Sequence, residues 1–185
     1  MLARRRRFAL RMISAWWPDA SGHALIEAAL VFPLLFVLFF GVSELCEGFI
    51  ANRRVETAAF TAADLIARLQ TVNTADLTAL KSIVDETIRP FPVATVGLVV
   101  TSVVADERNV TTVAWSTAFG PGVAAYTANT PITVPAGLTL PNTSVILAQV
   151  GYTFQSTLST FIGGLRLGAQ SYQQPRFAQQ VARSD

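Results

Sequence analysis

The longest apolar run in the chain extends from Gly22 to Ser43. Within it, every residue from Ala24 to Val42 is uncharged except Glu27. At about 1.5 Å of rise per helical residue, a run of this length crosses the roughly 30 Å hydrocarbon layer of a bilayer. The pattern therefore predicts one transmembrane helix, with a carboxylate, which is costly in lipid, near one of its ends.

The helical pattern continues beyond the apolar run. Apolar residues recur at steps of three and four, the spacing of one helix face, and they are Val55, Ala58, Ala59, Ala62, Leu65, Ile66 and Leu69. We expect the helix to reach about Gln70, with a kink at Pro33, whose ring removes one backbone hydrogen bond. The alanines leave room for a close neighbour, which is either the rest of the same domain or a helix of a partner subunit.

A second, shorter helix follows the first. Asn73 or Thr74 is suited to cap its N-terminus, and Asp76 in the first turn complements the helix dipole. Its apolar stripe consists of Leu77, Leu80, Val84 and Ile88. The segment Arg89–Pro92 ends it, because a proline disfavours helical backbone at the residue before it.

After Pro92 the composition changes to valine, threonine and aromatic residues, which favour β-strands. Four strands are predicted, with a turn at Asp106–Asn109, and they are Val93–Val104, Val110–Phe119, Ser144–Phe154 and Leu165–Gln173. In the second of them, Val113 and Trp115 should share one face. The segment 120–143 is predicted to be irregular because prolines and glycines recur along it.

These elements predict an α+β fold, in which a long N-terminal transmembrane helix continues into a small domain with a second helix and a roughly four-stranded antiparallel sheet. The corresponding segments are a basic leader (1–22), a transmembrane segment (23–43), the extended helix and second helix (44–90), an antiparallel β domain (91–175) with a proline-rich loop (120–143), and a tail (176–185). The apolar region Leu158–Leu167 is either core or a docking patch, and core is the preferred interpretation.

Charge is divided unevenly along the chain. Five arginines precede Gly22, namely Arg4, Arg5, Arg6, Arg7 and Arg11, whereas acidic side chains outnumber basic ones after it. By the positive-inside rule, the N-terminus is cytoplasmic and the domain beyond Ser43 lies on the other side of the membrane. Without a basic surplus, that domain lacks the electrostatic basis for binding nucleic acid.

The residues needed for most catalytic and metal sites are scarce. His23, at the membrane entrance, is the sole histidine, and Cys46 is the sole cysteine. Catalytic triads, an internal disulfide and multi-histidine metal sites are therefore excluded. We predict no enzymatic activity, no cofactor and no small-molecule substrate. Cys46 is either a small apolar residue at the membrane edge or the site of an intermolecular disulfide.

The N-terminal segment fits several export signals poorly. The residues Ser43–Cys46 lack the small residues of a secretory cleavage site, and Leu45 is too large for a lipoprotein signal. Arg5–Phe8 lies too far from the apolar run for a twin-arginine signal. By contrast, Gly22, followed after four residues by Glu27, resembles the prepilin cleavage signal.

That resemblance implies that a prepilin peptidase cuts after Gly22 on the cytoplasmic side, so that His23 becomes the new N-terminus. It further implies that Glu27 pairs with the free amine of His23 on a neighbouring subunit. An uncleaved signal anchor is the alternative for the same segment.

Further motifs along the chain agree with this comparison. They are Phe32-Pro33-Leu34-Leu35, Phe40-Gly41-Val42-Ser43-Glu44, the alanine-rich helix up to Arg68, Pro141-Asn142-Thr143-Ser144, Val150-Gly151-Tyr152-Thr153-Phe154 and Ser171-Tyr172-Gln173-Gln174-Pro175-Arg176. In this order, they resemble the TadE-like family, the pseudopilin or minor-pilin-like proteins of tight-adherence pilus systems. The neighbouring TadF proteins remain an alternative.

The resemblance implies a pilin-like, non-enzymatic component for assembly of tight-adherence (Flp) pili. Its partners would be membrane lipid, a prepilin peptidase, other pilins or pseudopilins and the assembly platform. The expected location is the bacterial inner membrane, with the domain in the periplasm or, within a pilus, outside the cell. The alternative is an uncleaved, single-pass periplasmic scaffold or binding module of a secretion or pilus platform.

Overall fold

The computed structural model describes residues 20–156 and 163–185, with side chains from Gly22 onward. Its helices are α1 (Ala20–Ala67) and α2 (Thr74–Ile88), and its strands are β1 (Thr71–Val72), β2 (Gly97–Ala105), β3 (Thr111–Phe119), β4 (Ser144–Phe154), β5 (Leu165–Gln173) and β6 (Ala182–Arg183). The predicted α+β class is confirmed. Two compact units make up the chain, one ending at Leu45 and the other comprising Cys46–Asp185.

Two sequence predictions fall partly or wholly outside the described residues. The arginines of the basic leader lie before residue 20. Of the apolar region Leu158–Leu167, the described part begins at residue 163, where Leu165 is exposed and Leu167 is half-buried against the core.

Helix α1 has 48 residues and includes Pro33. The predicted end at about Gln70 lies within one turn of the observed end at Ala67. A shorter-range hydrogen bond closes the helix, because the N–H of Leu69 donates to the carbonyl of Ile66 at 3.0 Å.

The alanine-rich face of α1 is buried within its own domain. Its members Ala51, Ala58, Ala59, Ala62, Ala63 and Ala67 are at most 1% exposed and belong to one core cluster with α2 and the sheet. Their small side chains allow close packing of the helix against these elements. Of the two partners considered for this face, the domain itself is the one that the structure shows.

Helix α2 begins with a capping box. The side chain of Asn73 accepts a hydrogen bond from the backbone N–H of Asp76 at 2.9 Å, and the Asp76 carboxylate accepts one from the N–H of Asn73 at 3.1 Å. The predicted stripe of Leu77, Leu80, Val84 and Ile88 is buried. Asn73, rather than Thr74, is thus the N-cap residue.

The four predicted strands form one antiparallel sheet in the order β3-β2-β4-β5. The bounds of β4 and β5 are those predicted. Strand β2 begins at Gly97, so the predicted start at Val93 is wrong. The N–H of Val96 donates to the carbonyl of Val93 at 3.1 Å, and this turn prevents residues 93–96 from joining the strand ladder.

A β-bulge corrects one further prediction. Trp115 pairs with Ser102, but Val113, rather than Ala114, pairs with the next residue, Val103. Successive residues of a strand point to opposite faces, so Trp115 faces the helices and Val113 faces away from them. The alternating pattern had placed both on one face because a single extra residue cannot be recognised from periodicity.

The proline-rich segment 120–143 covers the beginning of the outer edge of β3. The N–H of Val113 donates to the carbonyl of Thr130 at 3.0 Å, and the N–H of Ile132 donates to the carbonyl of Thr111 at 3.1 Å. Strand β2 is buried along almost its whole length, on both of its faces. Its near-continuous apolar sequence, typical of a strand covered on both sides, is explained by this arrangement.

The residues predicted only as a tail are integrated into the domain. β6 pairs in parallel with β1, and Val181 is completely buried. The indole N–H of Trp115 donates to the Val181 carbonyl at 2.8 Å, and the Ser144 hydroxyl donates to the carbonyl of Gln179 at 2.6 Å. The C-terminal segment is therefore part of the fold.

Candidate functional site on the N-terminal helix

Gly22, His23 and Glu27, the predicted processing and pairing residues, lie at the beginning of α1. All three are exposed. Apart from its chain neighbours and the backbone of its own helix, no described atom lies within 4 Å of a Cβ placed on Gly22. Among the described residues, Glu27 makes no hydrogen bond or ion pair. Its carboxylate is therefore available to a group outside this part of the chain.

The environment of Glu27 is apolar along the helix. A charge at the centre of a bilayer costs about 2.5–3.5 kcal/mol on insertion scales, and less near the interface. An opposite charge offsets this cost most effectively where water is excluded. His23 precedes Glu27 by four residues, which places both on one helix face. The helix thus presents the carboxylate and the predicted new N-terminus on the same side.

Phenylalanines form a second feature of α1, which the sequence analysis did not identify. Phe32, Phe36 and Phe40 follow one another at steps of four, with ring centroids 6.5 and 6.4 Å apart, and Phe39 meets Phe40 edge-on at 5.6 Å. At 100° per residue, Phe36 lies about 180° around the helix from Glu27. The carboxylate and the aromatic side chains therefore occupy opposite faces. The four-residue spacing was the signal in the sequence.

Within the described part of the chain, α1 is the one helix long and apolar enough to cross a membrane. The most apolar 18-residue stretch of α1 has no residue buried by the rest of the described protein. Its large apolar side chains are exposed all around the helix, as in a helix whose surroundings are lipid or other helices. This property is consistent with a membrane anchor.

In the domain, a carboxylate links α1 to the C-terminal segment. The side chain of Asp64 is only 12% exposed, and it contacts two arginines. Arg68 Nε donates to Asp64 Oδ2 at 2.9 Å, and Arg176 Nη2 donates to Asp64 Oδ1 at 2.5 Å. The backbone N–H of Arg176 also donates to the carbonyl of Ala67 at 2.9 Å. Sequence reasoning missed this cluster, because Arg176 is distant from the other members along the chain.

A second ionic contact involves Asp185. Arg183 Nε donates a hydrogen bond to Asp185 Oδ1 at 2.7 Å. The hydroxyl and the backbone N–H of Thr74 donate to the other carboxylate oxygen of Asp185. The hydrogen bond from Arg183, followed by that from Thr74, lowers the pKa of Asp185 from 3.8 to about 2. The contact connects the C-terminal segment to the first residue of α2.

This contact should be lost only in strong acid. Because the folded-state pKa of Asp185 is below its unfolded value, the contribution to stability is complete above about pH 4 and disappears as the pH falls through about 2. We expect the Thr74 amide resonance, followed in protein labelled with ¹⁵N-threonine, to titrate with a midpoint near 2 at low salt. The midpoint should rise at high salt, since the carboxylate is exposed.

The Asp185→Asn variant is the control for this titration and should lack the transition near pH 2. Identical titration curves for the unsubstituted protein and Asp185→Asn would contradict the contact.

The outer face of the sheet carries a shallow groove of about 540 Å³. Its lining includes Tyr126 and Gln149, and the Tyr126 hydroxyl donates a hydrogen bond to Gln149 Oε1 at 3.0 Å. None of the residues that line the groove carries a carboxylate, an imidazole or a thiol. Residues 20–156 and 163–185 contain no group of three or more His, Cys, Asp or Glu side chains suited to hold a metal ion. Cys46 is exposed and forms no disulfide there.

Comparison with known proteins identifies the N-terminal part of the chain. Residues 22–64 match the family model described as TadE-like protein. The match covers less than half of the chain, and it confirms the family resemblance over that segment. No curated protein and no solved structure matches the chain. Proteins of the TadE-like family have a structural role associated with Tad pili.

Proposed function

We propose that this chain is a TadE-like pseudopilin or minor pilin, a non-enzymatic component for the assembly of tight-adherence pili. The observation that carries the proposal is the family match, which begins at Gly22 and extends to residue 64. The residue at which it begins is the one after which the leader is predicted to be cut. The matched segment includes Glu27 and the whole apolar run.

In this proposal, residues 23–43 span the inner membrane and the domain lies in the periplasm. A prepilin peptidase removes residues 1–22 on the cytoplasmic side, and His23 becomes the N-terminus. The new α-amine of one subunit then pairs with Glu27 of its neighbour, which offsets the cost of the buried carboxylate and sets the axial register of the helices.

The exposed apolar surface of α1 supports this role. A helix that leaves the bilayer for a filament exchanges contacts with lipid for contacts with other helices. Both environments accept apolar side chains on every face of the helix, and Phe32, Phe36 and Phe40 supply one continuous aromatic face. The pair between Glu27 and the α-amine of a neighbouring His23 is then the polar contact that depends on the axial register of the helices.

A permanently anchored, uncleaved periplasmic module is the second candidate. It is favoured by one observation: α1 begins at Ala20, so the bond between Gly22 and His23 lies within a helical turn. A peptidase needs access to an unfolded peptide bond, and a helical turn restricts that access.

The intact mass and N-terminal sequence of the protein from native membranes distinguish the two candidates. We expect the chain to begin at His23 in cells that contain the prepilin peptidase and to keep its leader in cells that lack it. The Gly22→Ala variant, compared with Gly41→Ala as a matched change elsewhere in α1, should also keep its leader. A leader retained in both strains would favour the permanent anchor.

A further inference from the structure

The two edges of the four-stranded sheet differ in their hydrogen bonding. The beginning of the outer edge of β3 is covered, because Val113 and Thr111 bond to the segment around Thr130 and Ile132. The outer edge of β5 makes no backbone hydrogen bond to any residue in the ranges 20–156 and 163–185. One edge is therefore partly closed by the chain itself, whereas the other is open with respect to the residues that the structure describes.

Strand β5 also lacks the features that usually protect an edge strand. It has nine residues, among which Arg166 is the only charged one, and it contains no proline or lysine. Its pairing with β4 is regular from Leu165 to Gln173, without a bulge. Proteins commonly protect exposed edges by charges, prolines, bulges or short strands, since an open edge is a template for another strand. An unprotected edge of this length indicates a strand partner.

We propose that β5 pairs antiparallel with β5 of a second copy of this chain, so that the two sheets become one continuous sheet. A second copy brings an identical open edge, and a two-fold axis satisfies both edges with a single interface. This pairing is independent of the proposed pilus role, and it is tested without pilus assembly.

The charge distribution of β5 favours the antiparallel arrangement. Arg166 lies near one end of the strand. In a parallel pair the two copies of Arg166 would lie beside each other, which is unfavourable. In an antiparallel pair centred on Ala169, each Arg166 lies opposite Tyr172 of the other copy, and a guanidinium and an aromatic ring attract each other.

Arg166 and Tyr172 both lie on the outer face of the sheet, which is the face turned away from the helices. Arg166 is paired with Thr153, and Tyr172 is paired with Leu147. Between them, Gly168 is paired with Gly151, so neither strand has a side chain at that level. The outer face of β5 therefore has space beside Arg166 for the ring from the second copy.

Disulfide formation across the two-fold axis tests the proposal in the full-length chain in native membranes. The Cys46→Ser change first removes the sole cysteine. In that background, we expect Ala169→Cys to give a covalent dimer under mild oxidation, because the two residues 169 would face each other. Ala118→Cys, which changes an alanine on the other edge strand, β3, should stay monomeric.

A charge change at Gln170 and its compensation provide a second test. In the proposed register, Gln170 is diagonal both to Arg166 and to Gln170 of the other copy. By the usual strength of cross-strand pairs, Gln170→Lys should weaken dimerisation of purified protein in detergent roughly fivefold, and adding Arg166→Glu, which makes the contact with residue 166 an opposite-charge pair, should recover part of the loss. Sedimentation equilibrium measures both constants.

The proposal is overturned if Ala169→Cys forms no more dimer than Ala118→Cys, or if Arg166→Glu weakens dimerisation further in the Gln170→Lys variant. A disulfide between residue 169 and a different protein, without a homodimer, would also overturn it. That result would assign the open edge to a strand of another component.

Discussion

Replacing Glu27 with alanine is expected to leave the protein in the membrane and to remove it from the pilus fraction. The change makes α1 more apolar, so insertion should be maintained. In the proposed filament contact, however, the α-amine of the neighbouring His23 would remain buried without its partner. Breaking a buried ion pair in this way costs about 3–5 kcal/mol, which corresponds to a loss of more than a hundredfold in incorporation. Quantitative immunoblots of membranes and sheared pili measure the two effects.

Leu30→Ala is a suitable control for this experiment. Leu30 lies one turn from Glu27 and is also exposed, so the control removes side-chain volume from the same region without changing charge. Glu27→Asp, which retains the charge on a shorter side chain, should restore part of the incorporation. Normal piliation with Glu27→Ala would exclude the proposed role of this carboxylate.

Replacing Trp115 with alanine is expected to detach the C-terminal segment and to destabilise the domain by about 3–5 kcal/mol, because it leaves a cavity in the core and removes a hydrogen bond. Trp115→Phe keeps most of the ring volume but leaves the buried Val181 carbonyl without its donor, at a cost of about 1–3 kcal/mol. The amides of Ala182 and Ser184, which donate to Gln70 and Val72, report on this segment.

Hydrogen exchange of residues 181–184 in the full-length protein measures the loss of protection. We expect Trp115→Ala to accelerate exchange of this segment far more than Trp115→Phe does. Val110→Ala, a change at an exposed residue next to the same strand, should have no effect. Unchanged protection in Trp115→Ala would show that the contact with Val181 does not hold the C-terminal segment.

These two experiments examine the two compact units separately. The Glu27 variant addresses a helix whose exposed surface is apolar and whose proposed partners lie outside the chain. The Trp115 variant addresses a domain that buries its own alanine face, α2 and both faces of β2. A defect in pilus incorporation with Glu27→Ala and normal protection of residues 181–184 would locate the assembly contact in the helix.

The candidate site could be predicted from the sequence because it depends on local features. The spacing of Gly22 and Glu27, the basic leader before them and the apolar run after them are properties of one continuous segment. The phenylalanine face opposite Glu27 was also accessible, since steps of four residues define a helix face once the helix is predicted. Regular elements in the domain were predicted for the same reason, including α2 with its buried stripe and the bounds of β4 and β5.

Contacts between distant segments depended on the tertiary structure. The bulge that separates Val113 from Trp115 is a property of two paired strands, and no periodicity within one strand indicates it. Asp64 and Arg176 meet only because the C-terminal segment passes the end of α1.

The sequence by itself thus determined the long apolar helix and most of the regular elements, since each follows from the spacing of neighbouring residues. The processing residues stay a prediction from the same kind of local pattern. Only the tertiary structure decided what covers each surface. It showed that the alanine face packs on its own domain and that residues 176–185 are attached to the domain through the buried Val181. It also showed that the beginning of the β3 edge is covered, whereas no described residue bonds to the outer edge of β5. Coverage is a property of packing between segments far apart in the chain, which a local pattern does not encode.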